Sequence, residues 1–303
     1  MQRCCQTFFD SSVVFLYLEH AELLTMNRFK NIRIEGKHGK PVVADMFFNG
    51  SKDPMPVIIF AHGFKGFKDW GPYDLIAETF AHAGFVFIKF NFSFNGTTPD
   101  NLTVFADLEA FGQNNFTKEL DDLDVLLDWL WQHPQKERFD LNTIYLAGHS
   151  RGGAISIIKA AEDGRISKIA SWASPIEFGK YISPQQLSLW QQAGVIYIEN
   201  ARTHQQMPLY YQLAEDAINN AQRINIHKAV KQLSIPHLII HGTEDETVSF
   251  SDALVMHSWN TRACLTPIAS ANHSFGAEHP YAGQLLPPHY QQVVNETIAF
   301  FRD

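Results

Sequence analysis

From Phe29 onward the chain alternates short β-branched or aromatic runs with longer stretches whose apolar residues recur at helical spacing. "NIRIEG" and "PVVADMFF" carry a two-residue or β-branched pattern and are parted by "KHGK", which predicts an antiparallel opening pair. "PVIIFAHG" (56–63) is a continuous apolar run, the mark of a central strand covered on both faces. "PYDLIAETFAHAGF" sets Leu75, Ile76, Phe80 and Ala83 at helical spacing and stops at Gly84. "FVFIKFNF" reads as the next buried strand. "FTKELDDLDVLLDWLWQH" then puts Leu120, Leu123, Leu127 and Leu130 on one stripe, with acids opposite and Pro134 just past the end. The strand "TIYLAG", the helix "AISIIKAAED", the strands "ISKIASWAS", "PHLIIHG" and "CLTPIAS", and the helix "HYQQVVNETIAFF" complete the rhythm. This order predicts an α/β fold with a mostly parallel central sheet and helices on both faces.

One segment breaks the pattern. At about 175–232 the text loses its strands and becomes helix or loop containing Gln, Tyr and Trp. Lying between two strands, it is expected to form a small cap over the ends of the sheet. Residues 1–25 are expected to be a leader or upstream start that adds nothing to the fold. "VVFLYL" within them is too short for a signal-peptide core and has no small-residue cleavage site after it. The domain proper is therefore expected over 26–303.

Composition narrows the function. Hydrophobic content of 45% and charged content of 18% suit a folded soluble protein. A net charge of −8 without a dense basic cluster argues against a nucleic-acid surface. No apolar run approaches the ~20 residues of a membrane span. Three cysteines, two of them adjacent, make no disulfide framework and suit a reducing compartment, so a cytoplasmic location is expected. Fourteen histidines are scattered, with neither His-Glu-x-x-His nor Cys-x-x-Cys, and no metal or other cofactor is expected.

Candidate chemistry sits at the strand ends. In "GHSRG" (148–152) small residues flank Ser150 at a strand-to-helix turn, the arrangement that exposes a strained serine hydroxyl above a sheet. A serine needs a base, and the base a carboxylate to fix its tautomer. "HGTEDETV" offers Glu244, Asp245 and Glu246, of which Asp245 is the expected acid and its neighbours are solvent-exposed. "NHSFG" offers His273 as the base, with His279 a loop residue. Donors to a developing oxyanion are expected from the backbone N–H groups of Phe64, in "HGFKGFKDWG", and of Arg151. His62 is read as a support for that loop.

Residues from about 28 to 303 resemble an α/β-hydrolase, with most similarity to the dienelactone-hydrolase-like, feruloyl-esterase-like and prolyl-oligopeptidase-like branches. "HGFKGFKDWG", "GHSRGG", "HGTEDETV" and "NHSFG" carry the resemblance, in that order. It implies a Ser150, Asp245, His273 triad and backbone donors at Phe64 and Arg151. Two departures stand out. "FNFSFNG" replaces the Asp-x-x-Gly-x-Gly-like turn of many relatives, and Ser150 replaces the cysteine of dienelactone hydrolases proper. The expected substrate is a small to medium carboxylic ester, with Phe67, Trp172, Tyr181 and Trp190 as pocket-lining aromatics. A peptidase and a catalytically silent binding protein are the rivals. The Arg151 side chain is expected to pair with a cap carboxylate such as Glu177 or Glu199. Oligomeric state is not legible.

Overall fold

The computed structural model describes residues 25–179 and 183–303. The expectation for residues 1–25 falls almost wholly outside that range. In chain order the elements are β1 (Asn27–Ile34), β2 (Val42–Phe48), β3 (Met55–Ala61), α1 (Tyr73–His82), β4 (Val86–Asn91), α2 (Leu108–Gly112), α3 (Phe116–Gln132) and β5 (Phe139–His149). Then follow α4 (Arg151–Glu162), β6 (Ile166–Trp172), α5 (Pro184–Ala193), β7 (Val195–Glu199), β8 (Gln206–Tyr210), α6 (Gln212–Asn219) and α7 (Ile226–Gln232). The chain closes with β9 (His237–Gly242), α8 (Phe250–Trp259), β10 (Cys264–Ile268) and α9 (Pro288–Arg302).

Eight strands form one sheet in the order β1-β2-β4-β3-β5-β6-β9-β10. β2 runs antiparallel to both its neighbours, and every pairing from β4 to β10 is parallel. The continuous apolar text of β3 is explained by its two faces. Val57, Ile59 and Ala61 join a core built with Leu120, Leu123, Leu127 and Leu130 of α3, Ile155 and Ile158 of α4, and Val230 of α7. Ile58 and Phe60 point the other way, into a core with Tyr73, Ile76 and Phe80 of α1 and Tyr290, Val293 and Phe301 of α9. Alternate side chains of one strand thus enter different layers, which a two-sided sheet demands.

The stripe of α3 is buried as the pattern implies, but so are Glu119 and Asp122, which the amphipathic pattern assigned to the opposite face. Both have partners that a sequence pattern does not display: Arg151 and Asn114 for Glu119, and Ser93 for Asp122.

The strandless reading of 175–232 is corrected. β7 and β8 pair antiparallel, with Tyr197 opposite Pro208. Pro208 weakens the strand signal in the text, yet a two-stranded ribbon has free edges on which a missing N–H costs no ladder bond. Ser183 opens α5 with a capping box to Gln186, and Gly194 (φ +72°) closes it. The ribbon packs on α2, and Met207 joins Phe67, Phe105 and Phe111 in a small third core.

Candidate active site

All four chemical motifs lie just past the carboxyl ends of parallel strands: Phe64 after β3, Ser150 after β5, Asp245 after β9 and His273 after β10. In a parallel sheet this is the edge where the loops form a crevice.

Ser150 has φ +54° and ψ −126°, a conformation that costs an L-residue on the order of 1–3 kcal/mol. The surroundings hold it there. Its N–H donates to Trp172 O at 2.8 Å, and its C=O accepts from Gly153 N–H at 2.9 Å. The flanking glycines are a steric requirement. A Cβ on Gly148 would stand 2.4 Å from Gly152 O, and one on Gly152 would stand 2.3 Å from Ala61 O. Helix α4 can meet strand β3 only without those side chains, and the close approach sets Ser150 beside Gly63.

Asp245 and His273 are in contact, with His273 Nδ1 2.8 Å from Asp245 Oδ2. Asp245 Oδ1 accepts from the N–H groups of Thr247 and Val248 at 2.9 and 2.8 Å. Burial alone would raise the Asp245 pKa, but hydrogen bonds from His241, His273 and Val248 outweigh it and hold the carboxyl well below the usual range. Glu244 and Glu246 are exposed. His149, the residue before Ser150, places its Nε2 2.8 Å from His273 O, so Nε2–H donates. Burial foremost, then the neighbouring His273, pushes the His149 pKa down to about 3. His149 therefore ties the His273 loop to the Ser150 turn as a neutral brace.

The loop after β3 is fixed from several sides. Gly66 N–H bonds Gly63 O at 3.0 Å, a turn that leaves the Phe64 N–H outside its own hydrogen bond. His62 Nδ1 lies 2.8 Å from Gly63 O, and its Nε2 faces Phe92 N–H. Burial pushes its pKa down to about 4, which suits the supporting role read from the sequence. Arg151 is the first residue of α4, where a backbone N–H has no intrahelical acceptor.

Three of the four expected pocket aromatics are otherwise engaged. Trp172 is fully buried against Phe60 and Tyr290, with Nε1 donating to Thr297 Oγ1 at 3.1 Å. Phe67 is buried in the third core, and Trp190 donates to Leu209 O at 2.8 Å. Their size drew notice, but size alone does not tell a core ring from a ligand-facing one. Tyr181 lies outside the described residues. Phe64 remains partly exposed and stacks near Phe111 at 5.6 Å.

Arg151 forms an ion pair, but not with the expected cap carboxylate. Its Nε lies 3.0 Å from Glu119 Oε2 on α3, and its guanidinium sits over the rings of Phe64 (5.2 Å) and Phe116 (4.4 Å). A second charge cluster went unread. Lys68 and Lys89 are buried, with Nζ atoms 2.8–2.9 Å from the Asp45 carboxylate. They also reach Asp69 at 2.7 and 2.5 Å, and Lys89 meets Asp74 at 2.8 Å. The Asp45, Asp69 and Asp74 oxygens are close enough to hold a metal ion. Two ammonium groups already supply the countercharge there.

The BD-FAE family model matches residues 45–259, more than two thirds of the chain. The chain belongs to the BD-FAE family. Among solved structures, this BD-FAE member is similar to Est1E from Butyrivibrio proteoclasticus with ferulic acid bound, at 18% identity and TM-score 0.69 over 89% of this chain and 98% of that one. It is also similar to an esterase domain from a Rhodothermus marinus protein (16%, TM-score 0.61, 92% and 98%). A dienelactone hydrolase from Anabaena variabilis matches at 13% and TM-score 0.59, over 91% and 97%. These likenesses show the α/β-hydrolase fold. No curated protein matches.

Proposed function

We propose that the protein is a serine hydrolase that cleaves small to medium carboxylic esters through an acyl-enzyme on Ser150. The observation that carries this reading is the His273–Asp245 contact at 2.8 Å, tied through His149 to the strained Ser150 turn. Family membership and the esterases among the structural neighbours support it.

Ser150 Oγ attacks the carbonyl carbon while His273 Nε2 takes its proton, and the π electrons move onto the carbonyl oxygen. The N–H groups of Phe64 and Arg151 stabilise that oxyanion. Collapse of the intermediate breaks the C–O bond, and His273 returns the proton to the leaving alcohol. Water then attacks the acyl-enzyme by the same steps, releasing the acid and restoring Ser150. Asp245 holds the imidazole with its proton on Nδ1. The residues near 175–232 act as a cap over this edge: Lys65 Nζ reaches Glu199 O at 3.3 Å, and Met207 packs on Phe67.

Labelling with a fluorophosphonate, followed by peptide mapping, tests the reading. An adduct on Ser150 is expected, and an unlabelled Ser150 in folded protein refutes it. A paired screen of nitrophenyl esters and aminoacyl-anilides separates esterase from peptidase. Faster turnover of the anilides would overturn the choice of ester.

A further inference from the structure

His241, on β9, is wholly buried, and the reaction above gives it nothing to do. Its Nε2 lies 2.8 Å from Val248 O and 3.2 Å from Asp245 Oδ2. A carbonyl oxygen only accepts, so Nε2 carries the proton and Nδ1 is bare. That Nδ1 is buried and meets no donor among the described residues. The neutral imidazole of His241 thus has one defined tautomer.

Asp245 then accepts three N–H hydrogen bonds and has a fourth N–H close by, that of His241 Nε2, whose proton is shared with Val248 O. Two backbone groups approach Oδ1, and two imidazoles, from His273 at 2.8 Å and His241 at 3.2 Å, converge on Oδ2. The acid that faces His273 is shared with a second histidine four residues earlier in the chain.

We propose that His241 is a positioning residue that locks the Asp245 carboxylate and moderates its pull on the His273 proton. This rests on the reading of Asp245 and His273 as the acid and base of a serine hydrolase. An oxygen shared between two donors is a weaker acceptor for each. Without His241, Asp245 would hold the imidazolium form of His273 more tightly, and His273 must be neutral to accept the Ser150 proton. The other groups at this place are His149 from the end of β5 and the uncharged ring of Phe250 from α8. Glu244 and Glu246 beside it are exposed.

The test compares full-length wild type, His241→Phe and His241→Gln on p-nitrophenyl acetate across pH. In His241→Phe the acid limb of kcat/KM is expected to move up by on the order of half to one pH unit. Its kcat is expected to fall about tenfold with little change in KM, because a loosened carboxylate misplaces the base. His241→Gln, whose amide N–H can still donate, is expected to restore the limb. In ¹⁵N-histidine NMR of the wild type at pH 8, His241 should carry its proton on Nε2, a readout that needs no variant to fold. An unmoved acid limb in His241→Phe, or a proton on Nδ1 of His241, overturns the proposal. Fluorophosphonate labelling of the wild type keeps the two readings apart. With an adduct on Ser150 and an unmoved limb, only the role of His241 falls; with no adduct, the hydrolase reading falls and takes this one with it.

Discussion

Replacing Arg151 with methionine should destabilise the protein by an amount that depends on pH, because the partner it abandons is buried. Glu119 has 5% of its side chain exposed and accepts from Arg151 Nε at 3.0 Å and from Asn114 Nδ2 at 2.7 Å. Burial raises its pKa even with those partners present. Methionine keeps the aliphatic packing near Phe64 and Phe116 but leaves the carboxylate without its cation. Breaking a buried pair from one side costs about 3–5 kcal/mol, which lowers Tm by on the order of 10 °C for a domain of this size. The sign with pH follows from linkage. A carboxyl whose folded pKa lies above its unfolded value imposes no penalty while protonated in both states, and a growing one as pH rises through that window. Arg151→Met raises the folded value further, so its deficit should be largest at pH 8 and shrink toward pH 5. Arg151→Met with Glu119→Gln should recover most of the loss. Urea denaturation of the two single variants and the double at both pH values reads all of this. A loss in Arg151→Met below 1 kcal/mol, a deficit independent of pH, or strict additivity in the double variant would refute the reasoning.

Gly152→Ala should trade a helix-propensity gain of up to ~1 kcal/mol for a collision with the end of β3, since its Cβ would lie 2.3 Å from Ala61 O and 2.4 Å from His62 O. Those carbonyls lead directly into the loop of Phe64, so kcat on a nitrophenyl ester should fall roughly 100-fold. Gly164→Ala, where a Cβ would meet nothing, should leave it unchanged. The protein should also unfold in mild acid. Burial depresses His62 to about 4 and both His149 and His237 to about 3, so the unfolded chain binds protons that the folded one refuses. Their contribution is complete above the unfolded value of ~6.5 and is lost as pH falls toward 3–4. At pH 5 each costs on the order of 2 kcal/mol, and the three outweigh the relief that protonation gives the buried Asp122 carboxyl, whose pKa burial raises to about 7. Circular dichroism from pH 7 to 4 checks this, and a protein fully folded at pH 4 would contradict it.

What could be read from the sequence follows from what a one-dimensional pattern records. The sheet was legible because its central strands are dominated by apolar runs, and the order of motifs was legible because each ends such a run. Asp245 could be told from Glu244 and Glu246 only through its place in the motif; the structure gives the physical difference, a buried side chain with three hydrogen-bond donors against two exposed ones. Contacts between distant segments left no local trace. Glu119 reads as one more acid on a charged helix face until Arg151 is laid over it. Trp172 reads as a large ring near Ser150, while its orientation, which buries it against α9, depends on the strand's register with its neighbours.

Lys89 illustrates the same limit and ties down the loop after β3. It occupies a central strand position directly opposite Asp45 on β2, inside a sheet that is otherwise apolar there. Burying such a pair brings little net stability, because desolvation consumes most of the attraction. Its effect is on geometry. Lys68 and Asp69 belong to the loop that carries Phe64, and Lys89 Nζ bonds both Asp69 and the backbone O of Lys68, at 2.5 and 2.9 Å. The Lys68 N–H is fixed in turn by Asn91 Oδ1 at 2.6 Å. If the loop shifted, three acids and two ammonium groups would lose partners together, and Asp45, Lys68 and Lys89 lie where water does not replace them. These contacts oppose movement of the loop before any substrate arrives. Donors held in place beforehand spend nothing on rearrangement as charge develops, and that is the property the proposed oxyanion site at Phe64 and Arg151 requires.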